Sequence, residues 1–334
     1  MDKISEIIST IKKGAVKPIY FLMGDEPYYI DKISDYIEKT VLNETEKEFN
    51  QQIVYGREVT IEDIVSSAKR FPMMAPYQVV IVKEAQDLSR HIEKLTSYAE
   101  NPQITTILVL NYKYKTLDKR KKLYKAITAS GLIYESKKWY EYQIPDWVSR
   151  LLSEKNYQIA PKAAQMLVEF LGTDLSKISN ELDKLMLTLP TGTTINSQHI
   201  EENIGISKDF NNFELRKAIG KKNIVKANRI INYFSENPGK NSIVMTISLL
   251  NTFFTQLLSF HGLKDKSKHS VAKSLGINPY FADEYVIAAK NYPMRKVAQV
   301  TTWLREADMK SKGVGAYHLS QGDILKELLF RIMH

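Results

Sequence analysis

Pro18-Ile19-Tyr20-Phe21-Leu22-Met23-Gly24-Asp25-Glu26-Pro27-Tyr28 is the stretch on which the reading of this chain turns. Its apolar run from Ile19 to Met23 has no polar interruption and ends at a glycine, as expected of a strand buried on both faces. Asp25, Glu26 and Pro27 then suit a first helical turn, where acids complement the N-terminal dipole and a missing N–H costs nothing. Strand, glycine, helix is the layout in which phosphate-binding loops occur.

The chemistry of such a loop is absent. A GxxxxGK[ST] loop needs glycines so that backbone N–H groups converge on phosphate, a lysine for charge and a hydroxyl for Mg²⁺. Counting from Gly24, those three positions hold Tyr29, Ile30 and Asp31. Asp25 and Glu26 also place negative charge where a triphosphate would sit. A motor further needs an acidic pair after a hydrophobic strand. Val79-Val80-Ile81-Val82 is such a strand, but it runs into Lys83-Glu84-Ala85-Gln86-Asp87, where a lone Glu84 beside a lysine reads as a loop residue. The domain is therefore expected to be a non-hydrolysing interaction arm without a cofactor.

Working outward, short runs rich in β-branched and aromatic residues alternate with helical patterns over the first 135 residues, the signature of a parallel sheet with crossover helices. Strands are expected at Ile19–Met23, Gln52–Tyr55, Val79–Val82, Thr105–Leu110 and Leu132–Glu135. Helical patterns lie at Glu26–Val41, Ile61–Arg70, Leu88–Tyr98 and Lys119–Ala129. After Trp139 strand signals stop. A helix opening near Pro145 runs to about Lys155, and others follow at Pro161–Leu171, Leu175–Leu187 and Ser197–Ile204. Leu175, Ile178, Leu182, Leu185 and Leu189 recur at helical spacing on one face. The polar linker Ser207-Lys208-Asp209-Phe210-Asn211-Asn212 leads to further helical patterns at Phe213–Ile219, Ile224–Phe234, Ser242–Leu263, Val271–Leu275, Pro279–Ala289, Arg295–Met309 and Gln321–Ile332. The expected fold class is an α/β domain on a five-stranded parallel sheet followed by two all-α domains, with boundaries at 1–139, 140–206 and 207–334.

Composition narrows the function. The 334 residues are 43% hydrophobic and 25% charged, which is ordinary for a folded soluble protein. Cysteine is absent, so disulfides, thiolate nucleophiles and cysteine-bound zinc are ruled out. Met1–Glu6 alternates charged and apolar residues unlike a signal peptide, and a cytoplasmic location is expected. Ile243–Phe260 carries no charge and approaches spanning length, but its many Thr, Ser, Asn and Gln residues favour a helix packed among helices over a membrane span. The net charge of +9 favours an anionic or acidic partner. The six histidines show no HxxxH or HExxH spacing, and no GxSxG elbow occurs. Enzyme readings left open by residue pattern alone are a divergent nucleotide-dependent motor and a nuclease built from scattered carboxylates.

Several motifs in order resemble the delta subunit family of the bacterial DNA polymerase III clamp loader. They are the opening stretch Pro18–Tyr28, Leu117–Ala126, Asp174–Leu185, Phe213-Glu214-Leu215 with Ala218-Ile219-Gly220, and Asp308-Met309-Lys310 followed by Leu325–Leu329. The resemblance implies an AAA+-like first domain, a helical lid at 140–206 and a C-terminal collar at 207–334 that joins a ring of related subunits. It also implies a non-catalytic role in DNA replication: gripping and opening the beta sliding clamp while other subunits hydrolyse ATP. The implied partners are that clamp, the gamma/tau ATPase subunits, delta-prime and primed DNA within the assembly, with no membrane.

In that family an apolar pair at the end of a first-domain helix grips the clamp. The matching segment is Lys69-Arg70-Phe71-Pro72-Met73-Met74-Ala75-Pro76, with Met73 and Met74 at the pair and Phe71 and Pro72 beside it. From composition alone these residues favour closure of the core at a helix end, and it is the family position that points to the clamp contact. Met-Met departs from the Leu-Phe often found there, and methionine fills a pocket at a larger ordering cost. A basic run, Lys113, Lys115, Lys119, Arg120, Lys121, Lys122 and Lys125, with Tyr112 and Tyr114 interleaved, fits DNA contact, an inter-subunit surface or a solvated helix face.

Overall fold

Where the apolar runs were expected to pair, they do. The computed structural model describes residues 3–205, 207, 209–239, 241–315 and 318–334. Lys208 of the polar linker, and Met1 and Asp2 of the N-terminal segment, lie outside the described residues. The chain divides into two compact units, Met1–Trp139 and Tyr140–His334.

The first unit is built on β1 (Ile19–Gly24), β2 (Gln51–Tyr55), β3 (Gln78–Lys83), β4 (Thr106–Lys113) and β5 (Leu132–Ser136). All pairings are parallel and the order is β2-β3-β4-β1-β5. Burial follows that order: β1 is buried throughout, β3 and β4 at all but their last residue, and the edge strands only in part. This is why the three central strands lack alternation while Gln51–Tyr55 mixes polar with apolar residues. The helices are α1 (Lys3–Lys12), α2 (Pro27–Thr40), α3 (Glu44–Asn50), α4 (Ile61–Ala68), α5 (Thr96–Glu100) and α6 (Lys122–Ser130).

Three local features depart from expectation. α1 was not anticipated, although Ile4, Ile7 and Ile11 recur at helical spacing and are all buried. α3 was also missed: only seven residues long, it is started by a capping box between Asn43 and Glu46. The helix expected over Leu88–Tyr98 is instead two 3₁₀ turns, Ala85–Leu88 and Ile92–Leu95, running into α5. Leu88, Ile92, Leu95 and Tyr98 are buried all the same. A three-residue turn delivers the same apolar rhythm, so periodicity does not separate the two helix types over so short a span.

The second unit begins with α7 (Ile144–Glu154), β6 (Gln158–Ile159), α8 (Pro161–Leu171), α9 (Leu175–Thr188), β7 (Thr194–Ile195) and α10 (Ser197–Ile204). β6 and β7 form a parallel ladder of two residues each, too short for any strand pattern to register in sequence. On α9, Leu175, Ile178, Leu182 and Leu185 are buried as the stripe requires, while Leu189 caps the helix half-buried. α11 (Asn212–Gly220), α12 (Ile224–Glu236), α13 (Ile243–Gly262), α14 (Lys268–Leu275), α15 (Ala282–Asn291), α16 (Met294–Ser311) and α17 (Gln321–Met333) complete the unit. α13 is long and apolar enough to cross a membrane. One face of it, with Ile247, Leu250, Phe253, Phe254, Leu257 and Phe260, lies in the core shared with α12, α16 and α17. α8 and α11 are tied by two ion pairs, Lys162 with Glu214 and Arg216 with Glu169.

Candidate functional site

In a parallel sheet every strand starts at one edge and finishes at the other, so the first unit has a carboxyl edge and an amino edge. The carboxyl edge carries Gly24, Glu84, Lys113 and Ser136. The amino edge carries the segments entering β2, β3 and β4.

At the carboxyl edge the corner that could cradle phosphate is closed on itself. Gly24 adopts φ +121°, and a Cβ there would sit 2.1 Å from the Ser136 carbonyl oxygen. The glycine thus serves a close approach between β1 and β5. The N–H groups beyond it are taken: Gly24 donates to the Lys115 carbonyl at 3.1 Å and Asp25 to the Ser136 carbonyl at 3.2 Å. Glu26 donates to Ser136 Oγ at 3.1 Å, and Tyr28 to the Glu26 carboxylate at 3.2 Å. Glu26 thereby caps α2, and Pro27 occupies its first position.

Asp31, at the hydroxyl position of the absent loop, and Glu84, read as a loop residue after β3, are bridged by a cation from the chain itself. Lys113 Nζ lies 3.0 Å from Asp31 Oδ1 and 2.9 Å from Glu84 Oε1. Burial works against ionisation of Glu84, yet hydrogen bonds from Lys113 and Gln86 outweigh it and hold the carboxyl below its ordinary range. Burial likewise opposes the charge on Lys113, and its two carboxylate partners outweigh that and raise it. No group of three or more His, Asp or Glu suited to a metal ion occurs among the described residues.

The apolar segment is at the amino edge. α4 is fixed by a capping box between Thr60 and Asp63 and ends at Ala68, and residues 71–77 run to β3 without regular structure. Phe71 is 75% exposed, Met73 64% and Met74 fully exposed, so they do not close the core. The segment is nevertheless held. The side chain of Asn50, the last residue of α3, is buried and accepts from Met73 N–H at 2.6 Å while donating to the Met73 carbonyl at 2.9 Å. A third bond, to the Glu46 carbonyl at 3.0 Å, anchors the amide in α3. Met74 then takes the left-handed conformation at φ +54°, uncommon for a residue other than glycine. Asn50 escaped the sequence reading because its partner lies 23 residues away and nothing local marks the pair.

The basic run is dispersed. Lys113 is an internal counter-ion, Lys119 pairs with Glu135 at 3.2 Å, and Arg120 grips Asp118 at 2.8 Å. Lys115 donates to Ser89 Oγ at 2.8 Å. Lys121, Lys122 and Lys125 are exposed at the start of α6. Tyr112, read as a base-stacking candidate, is buried against Phe21 with ring centroids 5.3 Å apart and cannot reach a nucleic acid, whereas Tyr114 is exposed.

The strand order β2-β3-β4-β1-β5 and the helical region that follows define an α/β domain on a five-stranded parallel sheet joined to a mainly helical C-terminal part. The family model described as DNA polymerase III, delta subunit, matches residues 20–137, and a second model, for the C-terminal domain of the same protein, matches 209–325. The chain belongs to the DNA polymerase III delta subunit family. It is 25% identical over 287 residues to DNA polymerase III subunit delta of Bacillus subtilis (strain 168), covering 83% of this chain and 82% of that protein. The solved Bacillus subtilis DNA clamp loader delta protein shares its fold, with a TM-score of 0.57 and 22% identity over 99% of both chains.

Proposed function

We propose that this chain acts within the clamp loader as the subunit that binds and opens the beta sliding clamp during DNA replication, without hydrolysing ATP. The observation that carries the reading is the amino-edge loop, where Phe71, Met73 and Met74 face solvent on a backbone held by Asn50. Exposed apolar side chains on a fixed backbone cost solubility and suit a partner's apolar pocket. The closed Gly24 corner and the Asp31–Lys113–Glu84 bridge support a non-catalytic role, since phosphate and Mg²⁺ would each have to displace bonds already made.

On this reading the collar at 207–334, preceded in the chain by the helical lid at 140–206, anchors the chain beside the gamma/tau ATPase subunits and delta-prime. Lys121, Lys122 and Lys125 are then the part of the basic run available to primed DNA or to a neighbouring subunit. The test is capture of purified clamp by the wild type and by Met73→Ala/Met74→Ala. Losing two buried methionines at an interface is expected to weaken capture by at least about a hundredfold, on the scale of ~3 kcal/mol. Equal capture would remove the assignment.

A further inference from the structure

We propose that Asn50 is a positioning residue that holds the apolar loop in its partner-ready shape before any partner arrives. The inference rests on the reading of that loop as the clamp contact, and adds how the contact is made ready. Residues 71–77 belong to no helix or strand and three of their large side chains lie in water, so neither a backbone ladder nor burial would fix them. Among the described residues, the side chain hydrogen-bonded to their backbone is the Asn50 amide. Asn50 brackets the Met73 peptide from both sides, accepting its N–H and donating to its C=O as a neighbouring strand would. Met73 N–H can only donate and its carbonyl only accept, so this chemistry also sets which way the amide points.

The amide is itself immobilised. It is buried, ends α3, and bonds the Glu46 carbonyl in the same helix, whose start is fixed by the capping box between Asn43 and Glu46. With Met73 clamped, Met74 takes the left-handed conformation and its own side chain stands wholly in solvent. A flexible methionine pair would otherwise have its backbone ordered at the moment of binding, and the clamped peptide has met that cost already.

The experiment uses the full chain and purified sliding clamp, with wild type, Asn50→Ala, Asn50→Asp, Met73→Ala/Met74→Ala and the triple variant, each checked by thermal melting. Trypsin reports on the loop without the clamp, because Lys69 and Arg70 adjoin it. Asn50→Ala is expected to speed cleavage there about tenfold and to weaken the clamp complex about tenfold, a factor equal to ~1.4 kcal/mol. Asn50→Asp keeps the acceptor for Met73 N–H but sets a buried carboxylate oxygen against the Met73 and Glu46 carbonyls, so it is expected to release the loop at least as much as alanine. In the Met73→Ala/Met74→Ala background, Asn50→Ala is expected to cost little more, since the side chains it positions are gone. Unchanged cleavage in both Asn50 variants, or a penalty that persists undiminished in the triple variant, would overturn the proposal. If Met73→Ala/Met74→Ala binds as wild type, the clamp reading of the loop fails, while the cleavage rates still decide whether Asn50 holds it.

Discussion

Gly24 reads in sequence as what remains of a phosphate loop, and its surroundings give it a different task. With φ +121° and the Ser136 backbone 2.1 Å from any added Cβ, the position accepts no side chain. Gly24→Ala is expected to cost at least about 2 kcal/mol, seen as a lower urea midpoint with an unchanged slope. Lys113 is the second such residue. Sequence counting placed it in a basic surface run, because a lysine's partners cannot be seen when they lie 82 and 29 positions away, at Asp31 and Glu84. Lys113→Met leaves the two carboxylates facing each other and is expected to cost about 2 kcal/mol at neutral pH, with discount for their partial exposure. Because Glu84 is held below its ordinary range in the fold, the stability it contributes is present above its unfolded value and lost as pH falls through the folded one. The gap between Lys113→Met and wild type should therefore narrow below about pH 4.5; a gap constant with pH would show that the bridge contributes nothing.

Among elements, long buried strands and helices with a clean apolar face were legible. Ile19–Gly24, Pro161–Leu171 and Leu175–Thr188 are close to where the pattern placed them, since burial of a continuous stripe leaves few alternatives. Short elements were not legible: α3 is held by its capping box and the two-residue ladder of β6 and β7 by its neighbours. Contacts between α8 and α11 were equally hidden, and there lies a pH-dependent feature. Glu169 is buried, and desolvation pushes its carboxyl up to about 7 even with the Arg216 guanidinium 3.7 Å away, a cation shared with Glu284. A carboxyl raised in the fold is protonated there while the unfolded chain has already ionised, so stability is lost as pH rises from about 4.5 to 7. Glu169→Gln removes that loss. Relative to wild type the variant is expected to gain up to about 3 kcal/mol between pH 5 and pH 8, measured as the difference in melting temperature at the two values; an equal offset at both would contradict the burial argument.

Across the whole molecule, the parallel sheet separates what has closed from what is offered. Its carboxyl edge, where a nucleotide enzyme keeps phosphate and metal, is filled by the chain's own serine, glutamates and lysine. Its amino edge presents three large apolar side chains on a backbone held in place. The missing lysine and hydroxyl were legible as residues, and so was the family order of motifs along 334 positions. That Phe71, Met73 and Met74 point outward was legible only through the family resemblance, because composition alone favoured a plug at the helix end. On the function proposed above, the chain binds the sliding clamp by that edge alone, with no help from nucleotide. The direct measurement is a titration of the full chain into purified sliding clamp, with and without saturating Mg²⁺-ATP. The expected result is one affinity in both conditions and no heat of ATP binding to the chain alone; clamp binding that appears or strengthens tenfold only with Mg²⁺-ATP would contradict it.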